Sequence, residues 1–413
     1  MKKILTAGLA AIALGLGGIT VAAPSNAAAP SSHIPGQIMV KFRDNGAAAG
    51  VLRQHGLSEG TGIGSTGAQL IKVPAGKELP LIEALSRNPA VEYAEPDQIV
   101  TAATADEYSP RQYALHNEGQ SFTNTTGSLS VAGGTLDADV DAVDAWNVST
   151  GGGIKVAVLD SGVTSDNKDI TPNVVARANF SNGKAGEDNY GHGTHVAGIV
   201  AATANNTIGV AGVCPGCTIL DGKVLNDSGV GSSSSLANGI NWSVSNGAKV
   251  INMSLGVRAS RTLETAVNNA WNKGAVLVAA AGNGGNQTKI YPGAYPNVIA
   301  VAATDNNDAK ASFSTYGASW VDVAAPGVNV YSTFPNHPFV LGTQNNRSQG
   351  YDVGNGTSMS SPIVAGVAAL AWSSHAGATQ KSVRENVERT ADKISGTSTY
   401  WAHGRVNANN AVR

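Results

Sequence analysis

Three short motifs in this chain carry the side chains that hydrolysis through a nucleophile requires: an acid, an imidazole and a hydroxyl. Asp160 follows the apolar run Ile154-Lys-Val-Ala-Val-Leu159 in Val-Leu-Asp-Ser-Gly-Val. A carboxylate at the C-terminal end of a parallel strand lies where open α/β sheets build their sites, although alone it does no more than cap a turn. His192 sits in Gly-His-Gly-Thr-His-Val-Ala-Gly, and Gly191 and Gly193 on either side imply close backbone approach. His192 and His195 are one helical turn apart and could serve as paired metal ligands. No His-Glu-x-x-His pattern occurs, however, and His195 reads as a packed core residue. Ser358, in Gly-Thr-Ser-Met-Ser-Ser-Pro, precedes the run Ile363-Val-Ala-Gly-Val-Ala-Ala-Leu-Ala371, which has the all-round apolar pattern of a buried helix. Pro362 is tolerated near a helix N-terminus, so Ser358 opens that helix, where free N–H groups and the dipole favour an oxyanion. By itself it is a helix cap; with His192 and Asp160 it becomes a nucleophile candidate.

The order Asp, His, Ser separates this set from trypsin-like chains (His, Asp, Ser) and from α/β-hydrolases (Ser, acid, His). No Gly-x-Ser-x-Gly is present, which argues against a lipase or esterase. The Asp-Ser-Gly, His-Gly-Thr-His and Gly-Thr-Ser-Met-Ser-x-Pro motifs together resemble the subtilisin family, in its thermitase-like pattern. The resemblance runs from Arg111-Gln-Tyr113 to the end of the chain, through Phe313-Ser-Thr-Tyr-Gly317 and Thr390-Ala-Asp-Lys-Ile-Ser-Gly396.

That resemblance implies a serine endopeptidase acting on protein and peptide substrates through an acyl-enzyme. Asn283, after Ala279-Ala-Ala-Gly282, would form the oxyanion hole with the Ser358 N–H. Ser254, Leu255 and Gly256 would pair with an extended substrate and wall its primary pocket. No carboxylate occurs in Ser254–Gly256 or Ala281–Asn283, so apolar or aromatic side chains are expected there, with Ile290 narrowing the floor. The resemblance also implies structural calcium, held by carbonyls of Thr203, Ile208 and Val210, the Asn206 amide oxygen and the carboxylates of Asp106 and Asp169. An oxygen-only set suits Ca²⁺; the alternative is a plain surface loop. A weaker cation site would involve Tyr295, Val298 and Asp322.

Elements must exist to position these residues. After Gly153, short and nearly continuous apolar runs (Ile154–Leu159, Ala248–Met253, Ala275–Ala279, Val298–Val301) alternate with helical stretches (193–203, 234–245, 262–272). Apolar strands alternating with helices predict an α/β fold, a mostly parallel sheet with helices on both faces. A last charged helix spans 380–390. Ahead of this domain, residues 34–97 form a small α+β unit: strand Gln37–Phe42, helix Leu79–Ser86 and strand Val91–Pro96. Residues 99–105 are a Thr/Ala link with the character of a cleavable boundary.

Lys2-Lys3, the apolar run Ile4–Ala23 and Ser25-Asn26-Ala27 have the order of a secretory signal peptide; the alternative is a membrane anchor. The expected division is a signal peptide at 1–27, an inhibitory and fold-assisting prosegment at 28–105 (by resemblance), and a peptidase domain at 106–413. The product is then secreted, free of the membrane after signal removal and monomeric. With 27 basic and 29 acidic residues in 413, the chain has a net charge of −2, and nothing suggests nucleic acid as a partner. Its mean hydropathy is −0.06. The cysteines, Cys214 and Cys217 in Cys-Pro-Gly-Cys, read as a short disulfide around a turn, with free thiols, redox exchange or zinc as alternatives.

Overall fold

The computed structural model describes residues 33–98, 106–184 and 186–413. The expected signal peptide and the 99–105 link lie outside the described residues. The chain divides at residue 100 into two compact units.

The first unit contains, in chain order, β1 (His33–Phe42), α1 (Asn45–Gln54), β2 (Thr61–Gly62), β3 (Ala68–Lys72), α2 (Glu78–Ser86) and β4 (Val91–Gln98). Its strands form an antiparallel sheet in the order β2-β3-β1-β4. Ile38 and Val40, two apart on β1, point to one face and meet Leu52, Ile71 and Leu85 in a closed core. β1, α2 and β4 match the sequence reading, whereas α1, β2 and β3 are additional. Asn-Gly-Ala-Ala-Ala-Gly offers no broad apolar stripe, so α1 is hard to read from pattern. Asp44 sets its start by accepting the Gly46 N–H at 2.9 Å.

The second unit opens with a hairpin of β5 (Phe122–Thr123) and β6 (Ser130–Val131) and a short α3 (Ala142–Ala145). There follow β7 (Lys155–Asp160), β8 (Val174–Asn179), α4 (His192–Ala201), β9 (Thr218–Lys223), α5 (Ser233–Ser245), β10 (Val250–Met253), α6 (Arg261–Asn272) and β11 (Val276–Ala280). The chain closes with β12 (Val298–Thr304), β13 (Val323–Pro326), β14 (Val330–Thr333), α7 (Val340–Asn345), β15 (Tyr351–Gly354), α8 (Thr357–Ser374), α9 (Gln380–Arg389) and α10 (Ala408–Ala411). Seven strands pair in parallel in the order β13-β12-β11-β10-β7-β9-β8.

Alternation along each strand makes the two-sided core. On β7, Val156 and Val158 join the core that also holds α4 and α8, while Ala157 and Leu159 join that of α5 and α6. This is the expected sheet covered on both faces. β7 sits where the strand order reverses, with β9 on one side and β10 on the other, so the loop after it opens into a crevice.

Candidate active site

Asp160 is the last residue of β7, one position further into the strand than the sequence suggested, and it is fully buried. Its Oδ1 accepts the Ser161 N–H at 2.7 Å and lies 2.8 Å from His192 Nδ1. His192 is the first residue of α4, and Gly191 before it has φ 94°, a left-handed conformation that favours glycine. Gly193 is needed for proximity, because a Cβ there would stand 2.2 Å from the Gly162 carbonyl oxygen and 3.1 Å from the Asp160 Cβ.

Gly191 has no side chain to cap α4. Asp188, fully buried, does the work of a cap. Its carboxylate accepts four hydrogen bonds: from the Ser161 hydroxyl, the Gly191 N–H, the Thr194 N–H and the Thr194 hydroxyl, at 2.7–2.9 Å. The Ser161 hydroxyl in turn accepts the Gly193 N–H at 2.8 Å. The loops carrying Asp160 and His192 are thereby tied together through one buried carboxylate. Burial pushes the Asp188 carboxyl up, against those donors. At His192 burial disfavours protonation, yet the charge and hydrogen bond of Asp160, with the charge of Asp188, win and hold the imidazole above its usual 6.5. Sequence reasoning passed over Asp188; its place four residues before His192 was the available signal.

Ser358 is the second residue of α8. Its hydroxyl donates to the Ser254 carbonyl at 3.2 Å in this conformation rather than to His192. The reverse bond, from the Ser254 hydroxyl to the Ser358 carbonyl, is 2.8 Å. Pro362 explains it: this residue lies in the second turn of α8, near its start as expected, and has no N–H for the carbonyl four residues earlier. Ser254 supplies the missing donor.

Asn283 follows β11 at the mouth of the crevice, and its Oδ1 accepts both the N–H and the hydroxyl of Thr357, at 2.9 and 3.0 Å. With the oxygen so occupied, the amide N–H₂ is the end left for a ligand. Ser358, His192 and Asn283 line one cavity of about 260 Å³. His192 also lines a neighbouring cavity of about 360 Å³ with Ser254, Leu255 and Gly256. Ile290 fills the space beside Gly256 and Gly282, where added Cβ atoms would meet it at 2.6 and 2.9 Å.

His195 is buried, with Nε2 3.2 Å from the Asp352 carbonyl, and burial lowers its pKa to about 3. It is a core residue whose ring meets that of Phe334 at a tilt, with centroids 4.6 Å apart; it is not joined to His192. Cys214 and Cys217 form a buried disulfide.

The six expected calcium ligands converge on one loop. Asp106 accepts the N–H groups of Asn205 and Asn206, at 3.0 and 2.9 Å. Asp169 accepts the Asn206 side-chain amide at 2.6 Å and the Val210 N–H at 2.8 Å. The Thr203 N–H is bound by the Asp169 carbonyl, and the Ile208 N–H by the Asn206 Oδ1. Both carboxylates are buried, and no lysine or arginine among the described residues pairs with either. Burial, reinforced by the charge of Asp106, pushes Asp169 up to about 6. Two buried acids tied to one loop, with no lysine or arginine paired to either, suit a hard divalent ion.

Asp322 does not fit the weaker site. Its carboxylate is held by Arg384 at 3.1 Å and by the Ala300 N–H at 2.8 Å, and a guanidinium already supplies the positive charge. An acidic trio not singled out from sequence, Asp137, Asp139 and Asp141, brings its oxygens within 4.8 Å of one another. Asp139 is satisfied locally by the N–H groups of Asn117 and Asp141, and burial pushes it up to about 7.

Known proteins are similar to this chain in architecture and sequence. The model of the subtilase family matches residues 151–409, and that of the fervidolysin N-terminal prodomain matches residues 19–97. The chain is 49% identical to thermitase of Thermoactinomyces vulgaris over 276 residues, 66% of this chain and 94% of that protein. It is 39% identical to a thermophilic serine proteinase of Bacillus sp. (strain AK1) over 390 residues, 92% of this chain and 88% of the relative. A solved protease of Pseudoalteromonas arctica PAMC 21717 superposes with a TM-score of 0.65 at 30% identity, covering 75% of this chain and 99% of its own. The chain belongs to the subtilase family: it is a subtilisin-like serine endopeptidase preceded by an N-terminal prodomain.

Proposed function

We propose that this protein is a secreted endopeptidase that cleaves protein and peptide chains through Asp160, His192 and Ser358, and that it matures by removing its own prosegment. The observation that carries the reading is the 2.8 Å hydrogen bond between His192 Nδ1 and the Asp160 carboxylate, at a cavity lined by His192, Ser358 and Asn283.

A rotation about the Ser358 side chain turns its hydroxyl from the Ser254 carbonyl to His192. The imidazole takes the proton as Oγ attacks the peptide carbonyl, while Asp160 keeps the Nδ1 proton in place and stabilises the imidazolium. The Asn283 amide and the Ser358 N–H, at the start of α8, receive the oxyanion. His192 then protonates the leaving amine, and water repeats the sequence on the acyl-enzyme. The acyl portion of the substrate lies along Ser254, Leu255 and Gly256, where main-chain pairing tolerates many sequences. Ile290 shortens the pocket.

Residues 28–105 act as the inhibitor and folding template of the 106–413 domain. A parallel sheet built from distant segments is slow to form, which gives a template a physical purpose. Calcium, held by Asp106, Asp169, Asn206 and the carbonyls of Thr203, Ile208 and Val210, would offset the repulsion between two buried acids and fasten the loop after α4. Among the described residues no helix is long and apolar enough to cross a membrane.

The intact mass of the secreted product, wild type beside Ser358→Ala in calcium, tests this. Wild type beginning near Asp106 and a variant that keeps its prosegment support self-cleavage. Identical cutting of both assigns processing to another protease, and no cutting of either argues for an inactive scaffold.

A further inference from the structure

One side of the cavity at Ser358 is made by a loop whose shape is set far from the nucleophile. Between Phe334 and Gly350 the chain closes on itself, with the Phe334 N–H bound to the Gly350 carbonyl at 2.6 Å and the Gly350 N–H to that of Pro335 at 3.0 Å. Inside this loop α7 is fastened to the segment ahead of His192. The N–H groups of Val340 and Leu341 donate to the carbonyls of Asn189 and Tyr190, at 2.9 and 3.1 Å. Phe339 is buried against Gly191, where a Cβ would stand 2.2 Å from its ring, and it stacks on Phe334. These contacts make the loop a fixed wall. Asn346 ends α7 in a left-handed conformation, and the Arg347 N–H returns to the Gly342 carbonyl at 2.9 Å.

Arg347 therefore leaves the wall at a defined point, and its side chain lines the cavity with Ser358, His192, Asn283 and Asn345. No carboxylate lines that cavity, and burial keeps its second imidazole, His195, neutral at ordinary pH. The guanidinium is half-buried and takes part in no ion pair or side-chain hydrogen bond among the described residues. A permanent charge without a partner, held over a cleft, waits for an anion; the planar fork of Arg matches a carboxylate. The acyl side of a substrate occupies the Ser254–Gly256 cavity, so what reaches Arg347 is the chain beyond the scissile bond.

We propose that Arg347 makes this cavity a leaving-side subsite for a carboxylate, supplied by an acidic side chain or by a free C-terminus just after the cleaved bond. The inference rests on the proteolytic reading above. The chain's own junction agrees with it: self-cleavage after Ala105 puts Asp106 and Glu107 in the first two leaving positions.

Internally quenched peptides with the sequence of residues 99–110 test this, with positions 106 and 107 as Asp-Glu, Asn-Gln or Lys-Lys and the C-terminus amidated. Wild type should cleave the acidic peptide with a kcat/KM roughly tenfold above the Lys-Lys peptide. Arg347→Gln should bring that ratio close to one, Arg347→Glu should reverse it, and Arg347→Lys should keep part of it. Asn-Gln peptides cut short after position 107, as free acid or amide, identify the source. A preference confined to the free acid makes the C-terminus the ligand, and one confined to Asp-Glu makes it the side chain. An acidic-to-basic ratio in Arg347→Gln within twofold of wild type overturns the subsite. A wild-type enzyme that hydrolyses a peptide anilide but ignores leaving-side charge overturns the subsite alone. Failure on the anilide overturns the proteolytic reading as well.

Discussion

Ser254 and Ser358 exchange hydrogen bonds in both directions: the Ser254 hydroxyl donates to the Ser358 carbonyl at 2.8 Å, and the Ser358 hydroxyl to the Ser254 carbonyl at 3.2 Å. The first bond serves a carbonyl that Pro362 cannot serve. Ser254→Ala should therefore lower unfolding stability by about 1–2 kcal/mol, the cost of an unpaired, largely buried acceptor. Pro362→Ala restores an N–H at the right place, so adding it should recover part of the loss. A double-mutant cycle in denaturant, on the Ser358→Ala background to prevent self-digestion, measures the coupling; strict additivity would contradict the account.

Asp188 is expected to govern the protonation of His192 as well as the start of α4. The reaction needs neutral imidazole, and the His192 pKa is held above 6.5, so kcat/KM should fall as pH drops through that raised value. Asp188→Asn removes one of the negative charges that raise it, and the acid limb should move to lower pH. The same change places an amide among four donors, so stability should fall by about 1–3 kcal/mol. A pH profile with an unmoved acid limb would leave Asp188 a purely structural role.

Asn283→Ala should reduce kcat by about 10²–10³ with little change in KM, the range found when subtilisin loses its corresponding donor. Thr357→Val should have a smaller effect in the same direction. It removes one of the two hydrogen bonds that keep the amide oxygen turned away from the cavity. Steady-state kinetics on one peptide substrate separates the two parameters; a rise in KM alone would place Asn283 in ground-state binding.

Calcium should stabilise the protein more at pH 7.5 than at pH 5. Asp169 has its folded-state pKa raised to about 6, mainly by burial. Without a cation, its contribution favours the fold at low pH and is lost as pH rises through that value. Calcium needs the ionised form, so its benefit appears where the apo loop is weakest. On Ser358→Ala protein at a hundredfold excess over Kd, about 2.7 kcal/mol is expected, several degrees in apparent Tm. Asp169→Asn should abolish most of that shift, and scanning calorimetry at the two pH values reads it.

Cys214 and Cys217 should resist alkylation without reductant and denaturant, because both are buried and bonded. The ring they close is short, so replacing both with Ala should cost only about 2 kcal/mol by loop entropy. Peptide mass mapping and a denaturant curve check the two parts, and rapid labelling of the native protein would refute the first.

The sequence alone determined the class of fold and pointed to the proposed chemistry. Asp160, His192 and Ser358 stand in local motifs whose residue order is distinctive, and β7, β10, β11 and β12 are buried on both faces, so they read as apolar runs. β8 and β9 escaped notice for the opposite reason. β8 alternates toward solvent, and β9 carries Asp221 and Lys223, charges that no apolar pattern would place in a buried strand. Tertiary partners make that burial possible: Arg177 pairs with Asp221 at 2.7 Å, and Lys223 donates to the distant Ser161 carbonyl as well as pairing with nearby Asp227 at 2.9 Å. The tertiary structure likewise decided the role of Asp188, whose donors come from the loop after β7 and the first turn of α4. It also decided the placement of Arg347, which a folded loop brings to Ser358. Short motifs carry the residue types that the proposed chemistry needs. Which buried charges are satisfied, and which surface faces the nucleophile, depends on contacts between segments far apart in the chain, and these exist only once it has folded.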